Sequence, residues 1–530
     1  MRATMVAAVR LLSLRTADDL LSAWHDPVRV QRWYRSSLTA LLSLLALVMG
    51  LWKLDRDGAS WRDETVSYAV GKRSLGELWH LLHHIDAVHG LYYAFAHVVL
   101  SVWDDGVISL RVVSVLATVI AALGVNAIGR RLADEATGFL SGFAFVCIPQ
   151  VQFYAQEARS YALVAAAVVW ATWFFVRALQ EERPVWWAGY GLLLVLAGWL
   201  HEFALLVLLA HAVTLWRGGR HGTHGRRWLA VSLAAVAAVS PLAVISAGQA
   251  AAQLDWLAPP GLNDWFGYAL PAAVAITLAR LLRRHRGQRA AARTVSMSAV
   301  GLPLLIVPAG FLLTVSLVHP WYVDRYVLYG MAGLALLVGP ALRYGLASLT
   351  AEPDPRRRHR RLKTTIAGGL AATCALTALY WQDRLPSSRT DTVESYWGLT
   401  ATAPGQKEPV LFQPARRRVW ILARPTVFGP LDDIALQQSP QTSGTLYGIE
   451  AAPHVIRHRM LQHPQLTVLR DRPGQPLDHT PAENTKRAVL RTYFQLCWAV
   501  PVAGGEVTTY IRRDLAPTNP LCAPGRDIYS

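Results

Sequence analysis

Long apolar runs separated by short polar connections fill the first three-quarters of the chain. They fall at 38–52, 109–128, 139–153, 161–176, 185–200, 203–216, 228–245, 265–282, 295–318, 327–342 and 364–380. Each approaches the ~20 apolar residues that cross a bilayer core, and the shorter ones suit a thinned membrane or a tight bundle. Between the first and second runs lies a long connection, 55–108. In it Leu75, Leu78, Leu82 and Ile85 recur at helical spacing among Lys72, Glu77 and His84, the pattern of a helix lying in the interface. The stretch 90–103 is apolar enough to be a short span or a second interfacial helix. After about residue 383 the long runs stop. Short apolar segments at 410–412, 419–423, 466–469 and 507–511 read as strands, and 451–461 and 482–493 as helices, which predicts a small α/β domain. The segment Ser443 to Gly448 lacks phosphate-loop spacing and reads as a turn.

Basic residues decide the orientation. Arg2, Arg10, Arg15, Arg29, Arg32 and Arg35 precede the first run, and later clusters such as Arg130-Arg131, Arg177 with Arg183, Arg217 to Arg227, Arg283 to Arg293 and Arg356 to Lys363 occupy alternate connections. That alternation is the positive-inside pattern, held through eleven spans only if 90–103 stays interfacial. The expected layout is a cytoplasmic segment 1–37, a transmembrane catalytic unit 38–382 and an extracytoplasmic α/β domain 383–530, in a multi-pass protein of the plasma membrane. No leader with a cleavage site precedes the first run, which is expected to remain as an anchor.

Composition agrees. Of 530 residues 53% are hydrophobic and only 16% charged, with mean hydropathy +0.26, against about a quarter charged in soluble domains. The formal charge of +17 would point to nucleic acid in a soluble protein; here orientation accounts for it, and no nucleic-acid partner is expected. Cys147 and Cys374 fall in apolar runs and read as inert core thiols. Cys497 and Cys522 fall in the outer domain, where an oxidising compartment would permit a bridge; spacing alone leaves it open.

With this topology the outer face collects Asp63, Glu64, Asp86, His89, Gln156, Glu157, Arg159, Tyr161, His201, Glu202, Asp255, Trp256, His319, Tyr322, Asp324, Arg325 and Tyr326. Charged groups at membrane depth are costly and usually line a cavity. Asp86 and His89 share a helix face. Arg159 and Arg325 sit at outer span ends against the positive-inside trend; snorkelling explains such residues, and so does phosphate binding through the guanidinium fork. A divalent metal on Asp63, Asp86 and His89 is left open, and no other cofactor is indicated. The segment His201-Glu202 lacks the second histidine of a zinc helix, and there is no phosphate loop or nucleophile elbow.

The acidic pair Asp63-Glu64 after the first span, the D-x-x-H-G-L-Y-Y stretch Asp86 to Tyr93, the Arg159-x-Tyr161 span start and the Arg325-Tyr326 pair together resemble the GT-C superfamily. Within it they resemble the family-39-like mannosyltransferases of bacteria, over roughly the first two-thirds of the chain. Gly90 stands where that family often has proline. The resemblance implies a helical GT-C fold and inverting transfer of a sugar, mannose first, from a polyprenyl-phosphate donor in the membrane lipid to a glycan, lipid or protein acceptor. In that reading Asp63 is the base and Glu64 its support. Asp86, His89 and Tyr93 hold the acceptor or sugar, and Arg159, Tyr161, His201, His319, Arg325 and Tyr326 hold the donor phosphate. A transferase for another lipid-linked sugar such as arabinose is the alternative. A lipid-linked sugar flippase should show internal repeats and charges near mid-membrane, and neither is visible. A purely structural envelope protein would leave the clustered acids and arginines without a role.

Overall fold

The computed structural model describes residues 27–219, 222–254, 258–285, 295–388, 408–420, 431–475, 477–502 and 505–522. Arg2, Arg10, Arg15, Asp255, Trp256, Arg286, Arg289, Arg293 and most of the expected strand 419–423 lie outside the described residues. All eleven apolar runs are helical. Among the described residues, eight helices are long and apolar enough to cross a membrane, and a bent pair makes a ninth. The remaining two runs are shorter helices, Pro184–Leu200 and Val207–Arg217.

The first helix, α1 (Pro27–Leu51), is followed by α2 (Arg62–Gly71), α3 (Leu75–Leu82) and α4 (Gly90–Val102). Ser74 caps α3 by accepting from the Glu77 amide, and the Glu77 carboxylate returns to Ser74 N at 2.8 Å, a complete capping box. At 13 residues α4 rises only ~20 Å, too short to span. Then come α5 (Val107–Leu132), α6 (Glu135–Val146) and α7 (Pro149–Ala155). The last two are bent by 66°, because Pro149 at the start of α7 cannot donate into the helix before it. The carbonyls freed there are filled by side chains: Gln152 Nε2 donates to Val146 O at 2.8 Å and Tyr380 Oη to Cys147 O at 2.7 Å.

The rest of the bundle is α8 (Tyr161–Gln180), α9 (Pro184–Leu200), α10 (Val207–Arg217), α11 (Thr223–Leu254), α12 (Leu262–His285), α13 (Met297–Val315), α14 (Met331–Thr350) and α15 (Pro355–Asp383). Small residues let helices approach closely: a Cβ on Gly333 of α14 would run into Gly301 O of α13, the contact mode of helices in lipid. Cys374, expected in a core, is instead exposed on α15, whose apolar window is 0% buried. That helix is held at its C-terminal end, where the buried Arg384 donates to Gln152 O at 3.3 Å and to Met49 O at 3.3 Å.

Beyond it, a five-stranded sheet has the order β2-β1-β5-β7-β6. Strands β1 (Glu408–Gln413), β2 (Leu431–Asp433) and β5 (Gln465–Asp471) are parallel neighbours, and β6 (Phe494–Val502) and β7 (Gly505–Arg512) run antiparallel. A small ribbon pairs β3 (Leu436–Gln438) with β4 (Ile449–Glu450). Helix α16 (Pro440–Ser443) ends in the turn 444–448, while α17 (Pro453–Leu461) and α18 (Pro481–Tyr493) cover one face of the sheet. That face buries Leu411, Leu466 and Val468; the opposite face sends Val410, Phe412 and Leu469 into the same core as the membrane helices. Val419 and Trp420, expected in a strand, continue a helical turn after Ala415–Arg418. Strand β6 escapes sequence reading because it follows α18 without a turn residue and contains Pro501, which an edge strand tolerates. Cys497 and Cys522 are bridged, with Cα atoms 4.6 Å apart.

Overpacking the α13–α14 contact should be costly. Gly333→Val is expected to destabilise by about 1–3 kcal/mol in thermal unfolding of the detergent-solubilised protein. Gly345→Val on the same helix, where a Cβ meets nothing within 4 Å, should leave the midpoint within error.

Candidate active site

The polar ends of these elements meet around a cavity of about 660 Å³. Its wall takes Asp63 from α2, Asp86 and His89 from the turn before α4, Arg159 and Tyr161 from the start of α8, and His201 after α9. Arg325 and Tyr326 before α14 complete the set, so eight of the eleven residues singled out from sequence line one space.

Asp63 sits in the first turn of α2, where the free amides favour a carboxylate. Its Oδ2 lies 3.6 Å from Arg325 Nη2 and 3.9 Å from Arg159 Nη2, and its Oδ1 lies 3.7 Å from Arg62 Nε. These are ion pairs without tight hydrogen bonds, which leaves the carboxylate oxygens room to engage a ligand. The cations, by contrast, are held. Arg159 donates to Ser67 Oγ at 3.3 Å, Tyr93 Oη at 3.3 Å and His89 Nε2 at 3.1 Å. Arg325 Nε donates to Tyr161 Oη at 3.1 Å, and its guanidinium lies 5.4 Å from the Trp61 ring centre. Asp324 sets the backbone there: it accepts from Arg325 N at 2.8 Å, Gln150 Nε2 at 2.8 Å and Tyr154 Oη at 2.7 Å.

Asp86 has φ +67°, a left-handed backbone unusual outside glycine. Gln249 of α11 holds the turn by accepting from Ala87 N at 2.9 Å and donating to Leu82 O at 3.0 Å. The Asp86 carboxylate takes the Tyr93 hydroxyl proton in a short hydrogen bond, so Tyr93 stands behind the wall and orients Asp86 instead of touching the cavity. Because Arg159 can only donate, His89 Nε2 accepts and its proton belongs on Nδ1, a buried atom with no partner among the described residues. His201 Nδ1 and Arg159 Nε are likewise buried and unpartnered. Burial, then the neighbouring Arg159 and Arg325, lower the His201 imidazole to about 3. His89 is pushed well down by burial and by Arg159. Burial raises Asp86 against the pull of Arg159, and raises Glu202 despite its hydrogen bond from Ser246.

Two expected residues stand elsewhere. Glu64 is completely buried and turned away from the cavity, in a fork with Arg111: Nε to Oε1 2.8 Å and Nη2 to Oε2 2.6 Å. It also accepts from Ala158 N at 3.0 Å, so its role is to seat the chain beside Asp63 and Arg159. His319 is exposed and stacks on Trp321 at 5.4 Å; only Trp321 reaches the cavity. Among the described residues no three His, Cys, Asp or Glu side chains are arranged to hold a metal. The trio Asp63, Asp86 and His89 does not fit one, since Tyr93 and Arg159 occupy two of its members. Sequence reading did not assign Arg62, Glu202, Ser246, Trp321, Arg416, Leu446 and Tyr447 to the site, yet they line it. Only Glu202, adjacent to His201, carried a signal; the last three come from the sheet domain, which closes the cavity from above. Arg73 Nη2 fastens that domain by donating to Thr445 O at 2.8 Å.

Arg111→Met should leave Glu64 buried without its fork and destabilise by about 3–5 kcal/mol. The double variant Glu64→Gln/Arg111→Met should lose less than the single one in thermal unfolding. The histidines set a pH dependence. A folded His201 titrating at about 3, against an ordinary 6.5, takes no proton where the unfolded chain does. Its share of stability is present above pH ~6.5 and lost as pH falls toward 3; Asp86 and Glu202 oppose this at the acid end. The midpoint should drop between pH 7 and 5, and His201→Gln should flatten that slope.

A family model described as dolichyl-phosphate-mannose-protein mannosyltransferase matches residues 91–246. No curated protein matches the chain. Among solved structures, ArnT from Cupriavidus metallidurans in the apo state superposes with a TM-score of 0.58 at 12% identity, covering 89% of this chain and 98% of that one. ArnT from the same organism bound to undecaprenyl phosphate gives 0.54 at 13% identity, with 92% and 99% covered. The resemblance read from the sequence stands: this is a multi-pass membrane protein with the fold of the GT-C membrane glycosyltransferases.

Proposed function

We propose that the protein is an inverting glycosyltransferase that moves mannose from a polyprenyl-phosphate donor to an acceptor hydroxyl on the extracytoplasmic side of the plasma membrane. The observation that carries this is one carboxylate, Asp63, facing two anchored guanidiniums, Arg325 at 3.6 Å and Arg159 at 3.9 Å, in a cavity at the ends of the spans. Supporting it are the mannosyltransferase family model over 91–246 and the full-length likeness to a protein bound to undecaprenyl phosphate. The alternation of basic connections supports the outer placement.

The chemistry follows from the arrangement. A donor whose lipid tail stays in the bilayer presents its phosphate at the membrane surface. Arg159 and Arg325 take the phosphate oxygens, with Tyr161, Tyr326 and the unpartnered His201 Nδ1 around them. Once the phosphate draws the guanidiniums, Asp63 is left to the acceptor hydroxyl. It removes that proton as the oxygen attacks the anomeric carbon, while the sugar–phosphate bond breaks on the opposite side and configuration inverts. Charge building on the leaving phosphate meets cations fixed in place before the reaction, the arrangement that contributes most in preorganised sites. Asp86 and His89, with Tyr93 behind them, orient the acceptor or sugar. A transferase for another lipid-linked sugar such as arabinose is the second reading, since the mannosyltransferase family model covers only residues 91–246.

Reconstituted protein with polyprenyl-phosphate mannose and a membrane extract as acceptor tests both. Asp63→Asn should lower transfer by about 10²–10⁴-fold while donor affinity stays near wild type. Arg325→Met should weaken donor binding itself. Transfer that survives Asp63→Asn removes the base assignment, and transfer only from a pentose donor replaces mannose.

A further inference from the structure

A second cavity, of about 510 Å³, lies in the sheet domain. It occupies the sheet face under α18, away from the membrane core. Its floor is Gln413 at the end of β1, Arg470 beside it on β5, and Tyr510 of β7. Arg487 and Arg491 of α18 form one wall, and the loop 471–475 closes another. Beyond the carboxyl ends of two parallel strands is where open α/β sheets commonly take ligands.

The lining is rich in donors whose charge is not spent. Of its arginines, Arg470 is neutralised by Glu506 at 2.6 Å. Arg487 gives its protons to neutral acceptors, the Asp478 carbonyl and Asn484 Oδ1, and Arg513 donates to the Arg491 carbonyl at 3.1 Å. No carboxylate pairs with Arg487, Arg491 or Arg513 among the described residues. The lining acid Asp471 is paired with Arg416 and Arg417; Asp478 is the other. Gln413 is 9% exposed, and its Nε2 has no hydrogen-bond partner. A buried donor left without a partner is costly, so it favours a ligand oxygen. Leu477, Leu490 and Leu496 add apolar surface to the same cavity.

We propose that this cavity binds an anionic saccharide, a sugar carrying a carboxylate or phosphate, as a docking site for the acceptor. Oxyanions suit the guanidiniums, and sugar C–H faces suit the leucines. The acceptor role rests on the transferase reading; the binding does not. Asp471 links the sites physically: it lines this cavity and holds Arg416, 2.6 Å away, which lines the catalytic one. One ion pair therefore joins the walls of the two cavities.

Calorimetric titration of the full-length protein in detergent tests this with a galacturonate tetramer, the neutral maltotetraose and inorganic phosphate. The galacturonate should bind at least ~10-fold tighter than either comparison and weaken with added salt. Arg491→Gln/Arg513→Gln, at exposed positions that leave the fold intact, should lower its affinity about 10-fold or more, and Gln413→Leu should lower it too. Arg325→Met in the catalytic cavity should leave it unchanged. Equal binding of maltotetraose, phosphate as tight as the tetramer, affinity indifferent to the double variant, or loss with Arg325→Met would each overturn the proposal. Because no step requires sugar transfer, failure of the transferase reading would show in the transfer assay and not here.

Discussion

The buried fork between Glu64 and Arg111 is the constraint on which the site depends. Arg111 stands one turn into a membrane helix, 1% exposed, where a charge without partners would be expelled. It is tolerated because every donor is used: Glu64 takes two, and the carbonyls of Leu54, Asp55 and Ala59 take the rest at 2.8, 3.3 and 2.5 Å. A pair so buried adds little net stability over an apolar replacement. What it does is fix geometry. It ties the beginning of the connection 55–108 to the start of α5, and through the Ala158 amide to the start of α8. Those are the segments that carry Asp63 and Arg159.

Seen from that fork, adjacent carboxylates have opposite duties. Glu64 is saturated with donors at 2.6 to 3.0 Å, whereas Asp63 meets only guanidiniums at 3.6 Å and beyond. A helix makes the division unavoidable, because successive side chains point about 100° apart. One residue enters the protein and the next enters the cavity. The bend at Pro149 serves the same end, since it delivers Glu157 to Arg159 to the rim within reach of α2.

The bundle was largely legible from hydropathy, because lipid imposes a simple rule: each backbone group must be satisfied within its own helix. The stretch 90–103, read as interfacial by counting arginines, forms a helix of 13 residues. The arginine and aspartate of the cavity were legible because charges near membrane depth have few innocent uses. Glu64 and His319 were misplaced because helix facing and the line of sight to a cavity need three dimensions. Arg111 carried the strongest unread signal, a lone charge inside an apolar run. The contributions of Arg416, Leu446 and Tyr447 had none, since they reach the site by the packing of one domain on another. Strand β6 was hidden by its direct junction with α18.

The sheet domain changes what the cavity can accept. A lipid-borne donor arrives sideways from the bilayer, so the wall formed by α11 can remain apolar and small, with Ala243 and Ala247. An acceptor must arrive from the aqueous side, and that side is covered by Leu446 and Tyr447. On the proposed reading, access for a polymer runs past the junction that Arg73 holds to Thr445, beside Arg416 and its partner Asp471. The first contact joins the α2–α3 connection to the sheet domain, and the second, within that domain, holds Arg416 against the cavity. On the proposed transferase reading, selectivity for the acceptor then belongs to this junction more than to Asp63.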